Sequence, residues 1–368
     1  MLRKFLATCV VLSGYFISIA QTANSVDTPK PAKEAVEAVP EKKPALVISG
    51  SVDAYYRYDF NKQASNNKTS FTNSHNSFEL GAARIKFEHA IGKVGMVAEL
   101  SFGKRAEEFN YNDEKTVKAV RQLYITYSPS KNIKFTAGNW ATHFNCEIFE
   151  PDANPNYSMS YMFAWGPFFH TGVKTDITLG KHGFMLGVAN PNDYKFSPGS
   201  KKYVIAQYSF FPNDKFQGYI NFFSGQRPTD STKVSQIEAI LTQKISEQFS
   251  IHYCGSVAFN RYREAGKYGS SKNWWGSGLY FNYNPKTWFG LNLRTEYFSD
   301  KNQQNVFAGI PGGGNVFENT LSANFKVDNL TIIPEFRLEN ASKEIYTKSS
   351  GAGTKSSGSF LVAVVYKF

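Results

Sequence analysis

His143, Cys146 and Glu147 fall within five residues of one another, and His170 follows on the far side of an aromatic stretch. Imidazole, thiolate and carboxylate together are a zinc donor set. The chain has neither a CxxC nor an HExxH spacing to arrange them, so no metal site is expected. A second combination, His170 with Ser158 or Ser160, supplies the groups of a lipid hydrolase that works on an outer barrel wall. Nothing in the spacing requires these groups to meet. Gly312, Gly313 and Gly314 lack the Lys-Ser/Thr and the helix of a phosphate loop, and read as a flexible external loop. No catalytic residue and no cofactor is expected. What the chain offers instead is ordered charge. Glu147, Glu150 and Asp152 punctuate an aromatic segment, and Asp53, Arg57, Arg84, Lys86, Arg294, Glu296, Glu335, Arg337 and Glu339 each have an apolar or aromatic neighbour in strand-like runs. Charge so placed is an electrostatic lining.

The elements that would hold such a lining are strands. The C-terminus reads FLVAVVYKF, with Phe360, Val362, Val364, Tyr366 and Phe368 at every second position. This is the pattern of a strand with one face in lipid and an aromatic at the interface. Strand-like runs cover 47–60, 76–90, 93–105, 117–129, 132–143, 169–180, 183–191, 201–212, 215–226, 234–245, 248–263, 272–284, 287–299, 315–327, 330–341 and 357–368. Tight links such as Ile91-Gly92, Asn213-Asp214 and Asp328-Asn329 alternate with longer loops, among them 61–75, 106–116, 227–233, 300–314 and 342–356. A closed barrel with short turns on one side of a membrane and long loops on the other predicts that rhythm. A soluble sandwich does not. The expectation is an all-β fold, a single antiparallel transmembrane β-barrel of about 16 strands, with 14–18 allowed, wide enough for an aqueous channel.

Composition agrees. Aromatic residues make up 16% of the chain, with 32 Phe and 21 Tyr. Yet no segment after the N-terminus approaches the ~20 apolar residues of a spanning helix. Arg3 and Lys4 precede an apolar run from Phe5 to Ile19, and Ser18-Ile19-Ala20 offers a small-residue cleavage site, so residues 1–20 read as a secretory signal. Cys9 lies inside that run, too early to be a lipidation site. Residues 21–46 are rich in Pro, Ala, Lys and Glu and read as a periplasmic leader that cannot bury a core. Cleavage after Ala20 would take the charge from 41 basic against 30 acidic residues, +11, to 39 against 30, +9. That balance favours anions or acidic headgroups; no basic cluster or zinc-finger spacing points to nucleic acid. The remaining cysteines, Cys146 and Cys254, make no disulfide framework and are expected as two buried free thiols.

Within strands, charge keeps to one face. Phe289, Leu291, Leu293 and Tyr297 alternate with Asn292, Arg294 and Glu296. Leu330, Ile332, Phe336 and Leu338 alternate with Glu335, Arg337 and Glu339. Val52, Ala54, Tyr56 and Tyr58 alternate with Asp53, Arg57 and Asp59. A charge on the lipid face costs about 2–4 kcal/mol at the midplane, so these groups face a hydrated lumen. Two positions break the rule: Arg121 shares parity with Leu123, Ile125 and Tyr127, and Pro334 falls on a lipid face. The connection 144–168 departs most from an exposed loop, with Phe144, Phe149, Tyr157, Tyr161, Phe163, Trp165 and Phe168 around its three acids. Two arrangements suit it: packing over the rim, or folding inward as a constriction in which Glu147, Glu150 and Asp152 face Arg84, Lys86, Arg294 and Arg337.

Three stretches, ISGSVDAYYRYDFN, AGNWATHFNCEIFEPDANPNYSMSYMFAWGPFFHTGV and LRTEYFSD, together with the aromatic C-terminus, resemble the OmpL-like outer-membrane β-barrel porins, the beta-barrel porin-2 family, over residues 47–368. That family commonly carries Gly after the Phe matched by Phe144, where this chain has Asn145. The resemblance implies an outer-membrane channel with no catalytic residues. The partners expected are outer-membrane lipids and small hydrophilic solutes or ions, and family analogy adds a homotrimer. Two other classes fit a barrel of this kind: a non-conducting surface barrel with an adhesive or receptor role, and an outer-membrane enzyme acting on lipid.

Overall fold

Period-two alternation broken by turn residues produces hairpins, and in the computed structural model, which describes residues 45–368, the hairpins close into one barrel. The expected signal, 1–20, and nearly all of the leader, 21–46, lie outside the described residues. The barrel strands are β1 (Val47–Asp59), β2 (Ser77–Ile91), β3 (Val94–Phe102), β4 (Val120–Ser130), β5 (Ile133–Ala141), β6 (Phe169–Leu179), β7 (His182–Ala189) and β8 (Tyr203–Asn213). They continue as β9 (Phe216–Gln226), β10 (Lys233–Lys244), β11 (Phe249–Arg261), β12 (Lys272–Lys286), β13 (Phe289–Asp300), β14 (Gly314–Val327), β15 (Leu330–Ala341) and β16 (Ser356–Lys367). Each pairs antiparallel with its neighbours in sequence, and β16 closes on β1. All 16 expected strands are present.

Most strand ends lie within two residues of the sequence reading, and three of the differences have a visible local cause. The strand expected over 93–105 stops at Phe102, because Gly103 turns the chain with φ +103°. A Cβ there would lie 2.6 Å from the Gly81 carbonyl, so glycine alone fits, and helix α1 (Lys104–Phe109) follows. The strand expected from 117 begins at Val120, after a 3-10 turn over Lys115–Ala119. The strand expected to reach 263 ends at Arg261, and a two-residue hairpin pairs Arg263–Glu264 with Lys267–Tyr268.

Both parity exceptions have a local cause. The β3–β4 register shifts between Glu99↔Gln122 and Leu100↔Val120, leaving Arg121 as the extra residue of a bulge. A bulge turns two consecutive side chains to the same face, and Arg121 and Gln122 are both buried inside the barrel. Pro334 pairs with Val362 of β16 but has no partner on β14, where pairing skips from Ser322↔Glu335 to Phe325↔Ile332. Proline has no N–H to donate, and the ladder opens where that donor is missing.

The outer wall is apolar. Phe78, Leu80 and Leu186 are 86%, 77% and 64% exposed, a state suited to acyl chains and costly in water. Exposed aromatics ring both rims: Tyr127, Tyr283, Trp288 and Tyr366 on the short-turn side, Phe60, Phe102 and Trp275 on the long-loop side. No helix among the described residues is long and apolar enough to cross a membrane, so the crossing elements are the strands.

Four further loops that read as plain external connections send an aromatic inward. Phe71 and Phe109 are buried with Phe149, Met159, Phe163, Phe168 and Phe169. Phe307 and Tyr346 are buried with Tyr161, Met162, Trp274 and Phe298. Long loops thus share two apolar cores within the barrel mouth. On β16 the inward residues are apolar as well: Leu361, Ala363 and Val365 pack on Tyr55, Tyr157 and Ile333. The hydrated lining expected all round does not extend to that strand.

Candidate functional site

The chain leaves β5 at Ala141 and by Cys146 it is against β11, where the thiol donates to the Tyr253 carbonyl at 3.6 Å. Five residues reach at most ~18 Å, and β11 is six strands away around a 16-strand wall, so the path cuts across the lumen. One step on, Glu147 meets Arg294 of β13 at 2.5 Å. Three residues later Glu150 meets Arg121 of β4 at 3.2 Å, and Asp152 meets Arg84 of β2 at 3.0 Å. The segment then returns to the β13–β15 wall, where Asn292 and Asn324 donate to the Pro155 carbonyl and Asn156 donates to Ser322 at 2.6 Å. Helix α2 (Tyr161–Trp165), capped by Ser160 accepting from Phe163 N–H at 3.1 Å, carries it back to β6. Most of these wall partners stand near strand midpoints, so the loop lies at about mid-height of the barrel.

Register sets the wall opposite the loop. Arg294, Thr320 and Arg337 are directly opposed across β13, β14 and β15, and Glu296, Glu318 and Glu339 form the next row. Two rows of opposite charge, two arginines and three glutamates, face each other one residue pair apart on the same face. Arg294 Nε reaches Glu318 at 3.2 Å and Arg337 Nη2 reaches Glu339 at 2.8 Å. Thr320 also donates to Glu318. Arg294 adds the loop itself, donating to the Ser158 carbonyl at 2.7 Å, and Arg337 donates to the Met159 carbonyl at 2.7 Å.

The wall acids in turn hold loop amides. Glu335 accepts from Tyr157 N–H at 2.8 Å and Ser158 N–H at 3.2 Å. Glu296 accepts from Tyr161 N–H at 2.7 Å and Met162 N–H at 2.8 Å. Glu238 of β10 accepts from Asn145 N–H at 2.7 Å. Within the loop Glu147 takes Ser160 N–H at 2.8 Å. Charge-assisted bonds of this kind are stronger than neutral ones, and they satisfy backbone donors that would otherwise be buried and unpaired. Tyr157 adds a side-chain contact, its hydroxyl donating to Asp53 at 2.5 Å.

Of the sequence-derived lining residues, Glu147, Glu150, Asp152, Arg84, Arg294, Arg337, Glu296, Glu335 and Asp53 thus contact the loop or belong to it. Glu339 reaches it through Tyr161, whose hydroxyl donates at 2.7 Å. Lys86 and Arg57 stand apart: Lys86 pairs with Glu88 at 2.9 Å, and Arg57 bonds the Ser74 carbonyl at 2.6 Å and Asp59 at 3.2 Å. The loop acids therefore meet only two of the four bases expected, Arg84 and Arg294. Lys86 and Arg337 have acidic partners on the wall, Glu88 and Glu339, each two residues along its own strand and so on the same face. Residues the sequence did not single out are Glu238, Glu318 and Arg105. Glu318 shares parity with Thr320, Ser322 and Asn324, and that polar face is the signal that could have found it. Arg105, on α1, is fully buried, stacked over Phe71 and Tyr157 and bonded to the Phe149 carbonyl at 3.2 Å. It ties three loops together.

Burial alone would push the Glu150 carboxyl up, but Arg121 and Arg84 outweigh it and hold the group below its ordinary value. Burial raises Asp193, in the β7–β8 loop, to about 6, against the lowering effect of Phe168 and Phe169 N–H at 2.7 and 3.1 Å. Burial, helped by Lys174, drives His143 down to about 3, so its ring is neutral. It lies 5.0 Å from the His170 ring, and His170 Nε2 contacts Thr142 Oγ1 at 3.1 Å. Ser160 donates to Glu147 and Ser158 faces Arg294 and Arg337. Neither serine meets His170, and both lie in the lumen, away from lipid. Among the described residues no group of three or more His, Cys, Asp or Glu is placed to hold a metal ion. In this structure Cys146 and Cys254 are not bonded to each other, and Cys146 is half-buried where two buried thiols were expected.

The geometry is that of a channel fold, and comparisons agree. No curated protein matches the sequence. Among solved structures, the outer membrane channel DcaP of Acinetobacter baumannii superposes with TM-score 0.61 at 12% identity, over 89% of this chain and 98% of that one. An anion-selective porin from Comamonas acidovorans gives 0.60 at 10%, over 89% and 100%. OmpT, an outer membrane protein of Vibrio cholerae in its trimer form, gives 0.59 at 10%, over 89% and 100%. These likenesses establish the fold. The family model described as Putative beta-barrel porin-2, OmpL-like, matches residues 45–368, nearly the whole chain, and the protein therefore belongs to that family of outer-membrane porin channels for small solutes.

Proposed function

We propose that this channel passes small hydrophilic solutes or ions by diffusion, and that the loop 144–168 is its constriction. The observation that carries this reading is the pairing of Glu147 with Arg294, Glu150 with Arg121 and Asp152 with Arg84, which seats the loop between opposite walls at about mid-height. A solute at that level passes fixed charges of both signs, and size and charge both discriminate there. Below the loop the lumen is polar and partly open, with Lys174 and Asp176 side chains 12% and 29% exposed. A periplasmic vestibule lined by Gln217, Thr242, Ser250 and His252 continues it. We further propose that the chain has no catalytic role and that it assembles as a homotrimer, as one solved neighbour does.

Planar-bilayer conductance tests the reading. Ohmic steps are expected, and replacing Glu147, Glu150 and Asp152 by their amides shifts the reversal potential toward anion preference. Unchanged reversal potentials would remove the constriction role. One observation favours a plugged, non-conducting barrel instead: inward groups at mid-height such as Asn221, Arg294 and Glu318 are 0% exposed. Electrical silence of correctly folded protein would select that reading, and fatty-acid release from phospholipid would select an enzyme.

A further inference from the structure

We propose that Cys146 and Cys254 are joined by an intramolecular disulfide in the mature protein, a covalent link between the loop and the barrel wall. If residues 1–20 are removed, these are the two cysteines left, so only one intramolecular pairing exists. The Cys146 thiol lies 3.6 Å from the Tyr253 carbonyl oxygen, which belongs to the peptide unit entering Cys254. The Cys146 side chain thus stands beside the residue it would bond, as a disulfide with its Cα atoms ~4.4–6.8 Å apart requires. Both segments lie at one carboxylate, that of Glu238. Asn145 N–H is bonded to Glu238 at 2.7 Å, and Cys254 Sγ lies 3.8 Å from the other oxygen of the same carboxylate. Cys146 packs on the apolar cluster that contains Cys254, Ile240 and Tyr280, so closure exposes nothing new.

The chemistry balances with an oxidant of the class the envelope of an outer-membrane protein provides, the disulfide of a thiol–disulfide oxidoreductase. One thiolate attacks that disulfide to give a mixed disulfide. The second thiolate then displaces the carrier. One S–S bond forms in the chain, and two electrons and two protons leave with the carrier as its dithiol. Cys254 is 1% exposed in the closed barrel, so the exchange belongs before closure, while the chain is still open to the carrier. The bond's existence is independent of conduction, whereas its effect on current rests on the loop being the constriction.

The test uses full-length protein isolated from outer membranes, denatured, and treated with N-ethylmaleimide. Neither cysteine is expected to react until a phosphine reductant is added, after which two adducts form. A non-reduced digest should contain one peptide joining positions 146 and 254, and C254S should expose a single reactive thiol without reductant. Two adducts without reductant, or a link between two chains, would overturn the proposal. In bilayers, phosphine treatment or the C146S/C254S pair should raise brief closures several-fold over the oxidised protein. A bond found by mass with no change in those closures would overturn the tethering role while leaving the bond.

Discussion

Arg294 of β13 donates to Glu147 of the inward loop at 2.5 Å, with both side chains buried, while its Nε and Nη2 hold Glu318 at 3.2 Å. One guanidinium therefore joins the loop to the wall. Breaking a buried pair by removing one partner costs about 3–5 kcal/mol. R294Q leaves Glu147 without a cation and Glu318 with only Arg337 at 3.7 Å, and should approach that figure. E147Q leaves Arg294 its Glu318 partner and should cost less. Urea unfolding of the two variants in detergent checks the order, and equal losses would show that Glu147 is not an independent partner.

Glu335 holds loop amides, so its oxygens matter more than its charge. E335A removes the acceptor for Tyr157 and Ser158 N–H and should cost about 1.5–3 kcal/mol, as expected for bonds to a charged group. It should also widen the distribution of single-channel conductance. E335Q keeps one carbonyl oxygen and should fall between E335A and the parent. Circular dichroism showing an intact barrel in all three keeps the comparison local to the loop.

Asp193 gives the loops a pH dependence. Its value of about 6 in the folded protein lies above the ordinary 3.8, so between roughly those values the native state holds a proton that the unfolded chain has released. Stability from this site is therefore present at low pH and is lost as pH rises through about 6. D193N keeps an acceptor for Phe168 and Phe169 N–H but cannot ionise. It should flatten the change in heat-induced gel mobility between pH 4.5 and about 7. A parent protein whose stability rises across that window would contradict the assignment.

Asn145 has φ +75°, in the left-handed region where Gly is free of cost and Asn is tolerated. N145G should leave stability nearly unchanged. N145V should cost about 1–2 kcal/mol and disturb the seat of the loop, because Asn145 N–H is the donor to Glu238. Thermal melts of the two variants decide it. A glycine here would adopt the same backbone without strain.

Leu293 and Arg294 are sequence neighbours on opposite faces, 36% and 0% exposed. L293R places a cation against acyl chains at strand mid-height and should cost about 2–4 kcal/mol, whereas L293M should be nearly silent. Folding yield into lipid vesicles measures the difference. A tolerated L293R would mean that the outer face at this height is not lipid.

How far the sequence carried these conclusions depended on the kind of information each needed. Strands and their inner and outer faces are local: Leu291, Leu293 and Tyr297 against Asn292, Arg294 and Glu296 already state the register, because strand geometry has period two. The parity fault at Arg121 is visible in the sequence, and the bulge that causes it is visible only in the β3–β4 register. The inward course of the loops was less legible. Phe71 and Phe109 are single aromatics in polar segments, and what buries them is Phe149, Phe163 and Phe168 from another loop. The role of Glu335 and Glu296 was hidden for a different reason. A carboxylate gripping a main-chain amide looks, in sequence, like one lining a pore, since its partner has no side-chain signature.

That same choice of partner divides the labour within the loop. Because Glu296 and Glu335 bind the peptide backbone of the loop, that part of its seat is independent of which side chains stand at 157, 158, 161 and 162. Exchange of a side chain at one of those positions leaves the amide, and hence the bond, in place. A mounting of this kind separates what fastens the segment from what the segment presents.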